Sequence, residues 1–288
     1  MMTKIPMGTN LKLTNDGELE LLFLGTGSAF VKENFQNNLL VVKGQDHLLV
    51  DCGTRCPEAF HRYKSSLLQI KNVFVSHSHS DHTGGIEELA LMHRYATHTR
   101  PNFIITDEYK EILWNETLKG GLSYGERGTS KFGNSVDGYL TFEDYFNQIN
   151  PVPVKGAPRP LFETNIGSIN IKIYRTMHMP DCAKTWEDSQ ISFGILIDER
   201  ILFPCDTRFD PELLNWMEET YHPEIILHDC QAIMGGVHAS IIDLKTLPEN
   251  IRKKLLLCHY ADSFADFNAQ SEGFAGLAKP AIYYNFGK

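Results

Sequence analysis

Short apolar runs separated by glycine, proline and acidic turns form the dominant pattern of this chain. Apolar or alternating runs of about four to eight residues are typical of β-strands. In the first half this pattern predicts strands at Glu18–Leu24, Leu39–Lys43, His47–Val50 and Asn72–Ser76. Pro57 opens a short predicted helix, since proline is tolerated in a first helical turn. A longer helix is predicted from Gly85 to about His98.

The second half repeats this organisation. It predicts strands at Ile169–Arg175, Ile191–Ile197, Ile201–Phe203, Ile225–Leu227 and Leu255–Cys258, and helices at Pro211–Met217 and Pro248–Lys253. Two halves that each combine strands and helices favour an α/β sandwich, in which two sheets lie face to face and helices cover them. We therefore expect a single domain over residues 1–288.

Residues 119–160 break this pattern. Six glycines lie between Gly120 and Gly138, and four prolines follow between Pro151 and Pro160. Long segments so rich in turn-forming residues are usually functional. We expect an inserted Gly/Pro-rich segment at about 119–160 that acts as a functional loop or a contact between subunits.

The composition excludes several classes of protein. Hydrophobic residues make up 42% and charged residues 22%, as in ordinary globular proteins. No apolar run approaches the roughly 20 residues of a membrane helix, and the first residues lack the apolar core of a signal peptide. We therefore expect a cytoplasmic protein with no membrane partner and with six reduced cysteines. The net charge of −9 argues against an extended nucleic-acid surface.

The strongest chemical signal follows the strand predicted at Asn72–Ser76 and reads His77-Ser78-His79-Ser80-Asp81-His82. Burying these imidazoles and this carboxylate without partners would be costly. Zinc is held by about four nitrogen, oxygen or sulfur ligands. His77 and His79 suit one ion, and Asp81 and His82 suit a second. We therefore expect two divalent ions, zinc first, with manganese or iron accepted by the same ligand types.

The motifs and their order resemble those of the metallo-β-lactamase superfamily. Besides H-x-H-x-D-H, Leu24–Ala29 (LGTGSA) resembles the first-strand motif of its ribonuclease Z and phosphodiesterase branch, and Leu49–Gly53 (LVDCG) resembles the second motif. The resemblance spans roughly residues 18–265. It implies the αββα sandwich of that superfamily, with the site at one edge between the sheets.

The resemblance also implies the remaining metal ligands. His178 matches the family's third-motif histidine and would complete the first ion. Asp206, in the segment PCDTR, matches the aspartate that bridges both ions, and His259 matches the last-motif histidine on the second ion. The implied ligands are His77, His79, Asp81, His82, His178, Asp206 and His259.

The same resemblance implies hydrolysis by a hydroxide that bridges the two ions. Asp81 is expected to steer this hydroxide, and His228 to give a proton to the leaving oxygen. Asp229 stands where the branch has glutamate and would orient His228. Further contacts to ligands or substrate are expected from Asp51, Ser28 and His238. For Asp51 and His238, an ordinary turn residue is an equal alternative.

The interval between His178 and Asp206 bears on the substrate. Ribonuclease Z enzymes insert a long tRNA-gripping arm there, and an interval of 28 positions leaves no room for it. Val237–Ser240 and Leu257–Tyr260 resemble armless relatives, among them the anti-Pycsar phosphodiesterases, which hydrolyse 3′,5′-cyclic nucleotides. The resemblance therefore implies a metal-dependent phosphodiesterase acting on a small nucleotide, a cyclic one first. A tRNA 3′ endonuclease and a non-hydrolytic di-iron protein stay open as alternatives.

Two further expectations concern residues outside the ligand set. Trp114, Tyr124 and Phe132 are candidates to stack on a base, with ordinary core or subunit packing as the favoured alternative. A homodimer in which residues 119–160 reach the partner's active site is a hypothesis.

Overall fold

The computed structural model describes residues 2–126, 139–264 and 266–288. In them, two eight-stranded sheets enclose a shared apolar core. The strands are, in chain order, β1 (Met2–Lys4), β2 (Glu20–Gly25), β3 (Asn38–Lys43), β4 (Asp46–Val50), β5 (Asn72–Phe74), β6 (Asn102–Ile104), β7 (Asn147–Ile149), β8 (Val152–Pro153), β9 (Leu161–Ile166), β10 (Ile169–Arg175), β11 (Phe193–Ile197), β12 (Ile201–Cys205), β13 (Ile225–Asp229), β14 (Leu255–Cys258), β15 (Gly276–Leu277) and β16 (Ile282–Asn285). The α-helices are α1 (Cys56–Arg62), α2 (Ser80–Thr83), α3 (Ile86–Met92), α4 (Asp107–Ile112), α5 (Lys119–Leu122), α6 (Phe142–Tyr145), α7 (Pro211–Tyr221), α8 (Ile241–Leu244) and α9 (Glu249–Arg252).

Each sheet is antiparallel on one side and parallel on the other. The first has the order β1-β16-β2-β3-β4-β5-β6-β7, with parallel pairing from β4 to β7. The second has the order β15-β14-β13-β12-β11-β10-β9-β8, with parallel pairing from β12 to β15. On the second sheet, Leu213 and Met217 of α7 share one buried cluster with Leu202 and Ile226 of the strands. The predicted αββα sandwich is confirmed.

Several predicted elements coincide with observed ones, and others differ from them in length. β10 and β14 span the predicted residues. The strand predicted at Asn72–Ser76 ends at Phe74, where the chain turns toward the histidine motif. The helix predicted from Gly85 is α-helical only over Ile86–Met92, and it continues as a π-helix over His93–Thr97. The short strands β6 and β7 were missed because three residues carry too little alternation to stand out.

The described parts of segment 119–160 belong to the layers. β7 pairs with β6 at the edge of the first sheet, and β8 pairs with β9 at the edge of the second. The Tyr145 hydroxyl of α6 donates to the Leu122 carbonyl of α5 at 2.7 Å. At its two ends the segment is therefore part of the sandwich, and only its middle, at 127–138, lies outside the described residues.

The loop after β2 joins the two sheets at one edge. The Tyr260 N–H donates to the Thr26 carbonyl at 3.2 Å, and the Ser28 N–H donates to the Tyr260 carbonyl at 3.1 Å. Gly25 lets the segment before β3 lie against the start of this loop, because a Cβ there would lie 2.3 Å from the Phe35 carbonyl oxygen. The loop therefore ties the first sheet to the segment that follows β14. In the part of the chain that the structure describes, no helix has the length and apolar character needed to cross a bilayer.

Candidate metal centre

The predicted ligands meet at one edge of the sandwich, where the strands that precede them end. His77 and His79 follow β5, and α2 begins directly after them at Ser80. His178 follows β10, Asp206 follows β12 and His259 follows β14. Because the strands stop at one edge, residues more than a hundred positions apart come within a few ångströms of each other.

The first group of ligand atoms consists of three imidazole nitrogens. His79 Nδ1 lies 2.9 Å from His77 Nε2 and 3.3 Å from His178 Nε2. Asp206 Oδ2 lies 3.9 Å from both of those Nε2 atoms. The ligand atoms of all four residues lie within 4.8 Å of one another. This group matches the ligands expected for the first ion.

The second group contains two carboxylates and two imidazoles. Asp81 Oδ2 lies 3.2 Å from both His82 Nε2 and His259 Nε2. Asp206 Oδ2 lies 3.2 Å from His82 Nε2 and 3.3 Å from His259 Nε2. Asp206 therefore belongs to both groups, as expected for a bridging ligand.

The electrostatics of the first group fit a divalent cation, whereas in the second group the carboxylates outweigh burial and raise the pKa of His82. Burial first, and then repulsion from neighbouring imidazoles, lower the pKa of His77, and burial lowers the pKa of His178 to about 4. These rings are therefore neutral, the form that binds metals. Asp206 Oδ1 is buried with no hydrogen-bond partner among the described residues. A buried carboxylate surrounded by several imidazole nitrogens is a chemically sound donor set for metal ions.

Ser76 and Asp51 connect the two groups behind the ligands. Asp51 Oδ2 lies 2.7 Å from His82 Nδ1, and the Ser76 hydroxyl donates to the same oxygen at 3.0 Å. The Ser76 hydroxyl also lies 3.0 Å from His77 Nδ1. One carboxylate thus orients an imidazole in each group, directly for His82 and through Ser76 for His77. A contact from Asp51 to a ligand was predicted from the sequence. The role of Ser76 was not predicted, because its only local signal is its place directly before the histidine motif.

The backbone around the ligands is strained in three places. Asp51, Cys205 and His259 have φ angles of 63°, 57° and 53°, in the left-handed region that non-glycine residues rarely enter. Such strain collects at functional sites, where surrounding contacts hold it in place. His259 is a predicted ligand, Cys205 directly precedes the predicted ligand Asp206, and Asp51 contacts the predicted ligand His82.

His228, the residue expected to donate a proton, is enclosed, and a second histidine, His238, lies beside the predicted ligands. His228 is only 1% exposed, and its Nδ1 donates to the Asp229 backbone carbonyl at 2.8 Å. His238 Nδ1 lies 2.8 Å from Asp229 Oδ2 and 3.9 Å from Asp206 Oδ2, and its side chain is 22% exposed. Asp229, His238, Asp206 and His259 place their ligand atoms within 4.8 Å of one another.

The two histidines that contact Asp229 differ in exposure and in their place in the fold. His228 and Asp229 end β13, and neighbouring strand residues point to opposite faces. His228 Nδ1 nevertheless lies 3.1 Å from Asp229 Oδ1, so this alternation does not separate His228 from the carboxylate. His238 reaches the site from the loop between β13 and α8.

The charge state of His238 suits a proton donor. Burial lowers its pKa, but the hydrogen bond to Asp229 and the charge of Asp206 outweigh burial and raise it to about 9. Burial also raises the pKa of Asp229, yet its bonds to His228 and His238 lower it overall. The pair is therefore an imidazolium held by a carboxylate.

The expected substrate contacts have mixed outcomes. The Ser28 N–H is bonded to the Tyr260 carbonyl. Trp114 packs against the core with its ring 6.3 Å from that of Phe142, as its alternative interpretation expected. Tyr124 is 67% exposed, and its ring lies 5.1 Å from that of Tyr139. Phe132 lies outside the described residues.

A cleft of about 450 Å³ opens beside the first ligand group. Its lining includes His77, His79 and His178, together with Glu116 of the π-helical turn after α4 and Ser189 and Gln190 of the loop before β11. Ligand clefts for small molecules commonly measure about 300–1,000 Å³. The cleft is large enough for one small organic substrate next to the candidate ions.

Comparison with known proteins identifies close relatives. A family model described as Anti-Pycsar protein Apyc1 matches residues 19–284. The chain is 32% identical over 266 residues to an anti-Pycsar protein Apyc1 of Paenibacillus sp. (strain J14), which covers 92% of this chain and 98% of that relative. It is 32% identical over 256 residues to the protein of the same name from Bacillus phage BSP38, covering 86% and 91%.

Solved structures share the fold. The metallo-beta-lactamase fold protein YhfI of Bacillus subtilis superposes with a TM-score of 0.66 at 16% identity, covering 93% of this chain and 99% of that one. The short form of human tRNase Z gives a TM-score of 0.58 at 16% identity, covering 92% and 98%. At these identities the likeness shows the metallo-β-lactamase fold and no more.

Proposed function

Since the chain belongs to the anti-Pycsar protein Apyc1 family, we propose that it is a metal-dependent phosphodiesterase that hydrolyses a 3′,5′-cyclic nucleotide. The observation that carries the proposal is the convergence of two ligand groups on Asp206 next to the cleft. Two divalent ions bound side by side can clamp the attacking and leaving oxygens of a phosphoryl transfer. The cleft then holds the nucleoside part of the substrate.

The proposed ligands divide between the two ions in the way the distances suggest. His77, His79 and His178 would hold one ion, Asp81, His82 and His259 the other, and Asp206 both. When bound, the ions supply Lewis acidity toward the phosphate oxygens and a lowered pKa for water. The mixture of imidazole and carboxylate ligands suits zinc first, and manganese or iron as well.

His238 is the proposed proton donor to the leaving alkoxide. Its Nδ1 is held by Asp229, so Nε2 is the nitrogen left to deliver a proton. Its partial exposure lets a substrate reach it, whereas His228 is enclosed. Asp51 and Ser76 keep the ligand imidazoles in place, and Asp81 carries a negative charge within the second group.

A tRNA 3′ endonuclease is the second candidate, and two observations weigh against it. Residues 179–192, between His178 and β11, form a loop that lines the cleft and leave no extended arm among them. The net charge of −9 is unfavourable for a long polyanion such as tRNA. A small nucleotide carries far fewer phosphates and needs no extended basic surface.

The test is turnover by the metal-loaded protein of 3′,5′-cyclic AMP, GMP, CMP and UMP, beside a precursor tRNA. His79→Ala removes a proposed ligand, and His61→Ala, at an exposed position on α1, is the matched control. We expect opening of cyclic nucleotides that His79→Ala abolishes and His61→Ala retains. Metal analysis of the purified protein accompanies the assay.

Each other outcome contradicts part of the proposal. Precursor tRNA cleavage without cyclic-nucleotide turnover would replace the proposed substrate with the second candidate. Turnover that survives His79→Ala would remove the ligand assignment. Bound iron with a visible chromophore and no hydrolysis would favour a di-iron redox protein instead.

A further inference from the structure

Arg175, the last residue of β10, holds a loop by its backbone. It is 9% exposed, and its Nη2 donates to the carbonyl oxygens of Trp186 and Ser189 at 3.1 Å and of Gln190 at 3.3 Å. Residues 179–192 form no helix or strand. Their shape therefore depends on bonds of this kind rather than on a regular ladder.

The charge of Arg175 is not balanced locally. In the described part of the chain, no carboxylate lies within 4.0 Å of its guanidinium, and its Nε is buried with no partner. Burial lowers its pKa, with a smaller opposing effect from Glu108. A buried cation without a carboxylate partner is costly to a fold. Its bonds to the loop account for it, together with the Trp186 and Phe193 rings, whose centroids lie 5.7 Å and 6.0 Å from its guanidinium carbon.

The loop that Arg175 holds is one wall of the cleft. Ser189 and Gln190, whose carbonyls it binds, line the cleft beside His178. The Gln190 N–H also donates to the Met179 carbonyl at 2.8 Å, which closes the loop on itself. Arg208 Nη1 donates to the Ala183 carbonyl and fastens the loop at a second place. Glu116, in the π-helical turn Leu113–Leu118, also lines the cleft.

We propose that Arg175 is a positioning residue that sets this wall and thereby determines how tightly the cleft takes the nucleoside part of its substrate. The inference rests on the proposed function. In this proposal the Arg175 guanidinium contacts neither the substrate nor the ions. Lysine cannot replace it, because a single ammonium does not reproduce a planar fork that reaches three carbonyls.

The experiment compares Arg175→Lys with Arg200→Lys, a control at the opposite end of the second sheet, in the turn between β11 and β12. The substrates are a 3′,5′-cyclic nucleotide and bis(p-nitrophenyl) phosphate, a diester without a nucleoside. For Arg175→Lys we expect KM for the cyclic nucleotide to rise about tenfold with kcat little changed, since ground-state positioning is lost. Both constants for bis(p-nitrophenyl) phosphate stay as in the unaltered protein.

Hydrogen exchange provides a readout that does not depend on activity. Amides of residues 179–192 should exchange about tenfold faster in Arg175→Lys than in Arg200→Lys, because the loop opens locally. Arg208→Lys removes the second fastening of the same loop and should also raise KM for the cyclic nucleotide. This variant replaces Arg175→Lys in the test if Arg175→Lys does not fold. An unchanged KM, or an equal loss of kcat on both diesters, overturns the proposal. If the unaltered protein cleaves bis(p-nitrophenyl) phosphate and no cyclic nucleotide, the proposed function fails. If hydrogen exchange of residues 179–192 is also unchanged in Arg175→Lys, the role of Arg175 in holding the loop is rejected as well.

Discussion

Asp51 is the residue whose replacement tests the two-ion arrangement most directly. Its carboxylate is fully buried, accepts the Ser76 N–H at 2.7 Å and orients His82 at 2.7 Å. Asp51→Asn is the appropriate change, because asparagine tolerates the left-handed conformation that Asp51 adopts at φ 63°. The substitution keeps the shape of the side chain and removes its negative charge.

The expected magnitude follows from the contacts. Replacing a group that orients a ligand imidazole costs about 10–100-fold in metal affinity, or about 1.4–2.8 kcal/mol at 1.4 kcal/mol per tenfold. His82 contacts the carboxylate directly, whereas His77 does so through the Ser76 hydroxyl. We therefore expect the full loss at the ion held by His82, and a loss of less than about tenfold at the ion held by His77.

The assay is a competition titration of zinc between the protein and a chelator, resolved into two binding steps. Asp144→Asn, a buried aspartate that caps α6, is the matched control and should leave both steps unchanged. Equal losses at both steps would refute the distinction between direct and relayed contact. Unchanged affinities at both would refute the role of Asp51 altogether, provided that the variant is folded.

Three further predictions are independent of this one. His238→Gln should lower kcat for a cyclic nucleotide by about 100-fold or more, as expected on losing a general acid, and much less for bis(p-nitrophenyl) phosphate, whose leaving group needs no proton; equal losses would contradict the assignment. Gly53→Ala should lower the melting temperature by several degrees, because a Cβ there would lie 1.9 Å from the Asp81 carbonyl oxygen and overpacking costs about 1–3 kcal/mol; an unshifted melt would contradict this. His47 is buried, and its Nε2 accepts the Lys71 N–H at 3.0 Å. Burial and the charge of Lys71 lower the pKa of His47, so the unfolded chain binds this proton more readily and stability should fall as the pH drops below about 6.5. His47→Gln should reduce that fall in urea unfolding between pH 7 and pH 5, and an unchanged pH dependence would exclude His47 as its source.

The sequence by itself determined the parts of the protein that depend on local order. His77, His79, Asp81 and His82 lie within six positions, so a strand followed by a turn is enough to aim them at one place. The strands β10 and β14 could be predicted because β10 alternates apolar and polar residues and β14 is an uninterrupted apolar run. The sandwich followed from the repetition of strands and helices in the two halves, and the remaining ligands from motif order.

Tertiary structure decided which polar residues meet. His228 and His238 both contact the Asp229 carboxylate, and only the fold leaves His238 partly exposed near Asp206 while it encloses His228. Ser76 is one serine among many until Asp51 is brought beside it. The bonds from Arg175 to the loop before β11 are invisible in the sequence. The physical reason is that hydrogen bonds and charges act over a few ångströms, and the packing of the layers alone sets those distances between segments far apart in the chain.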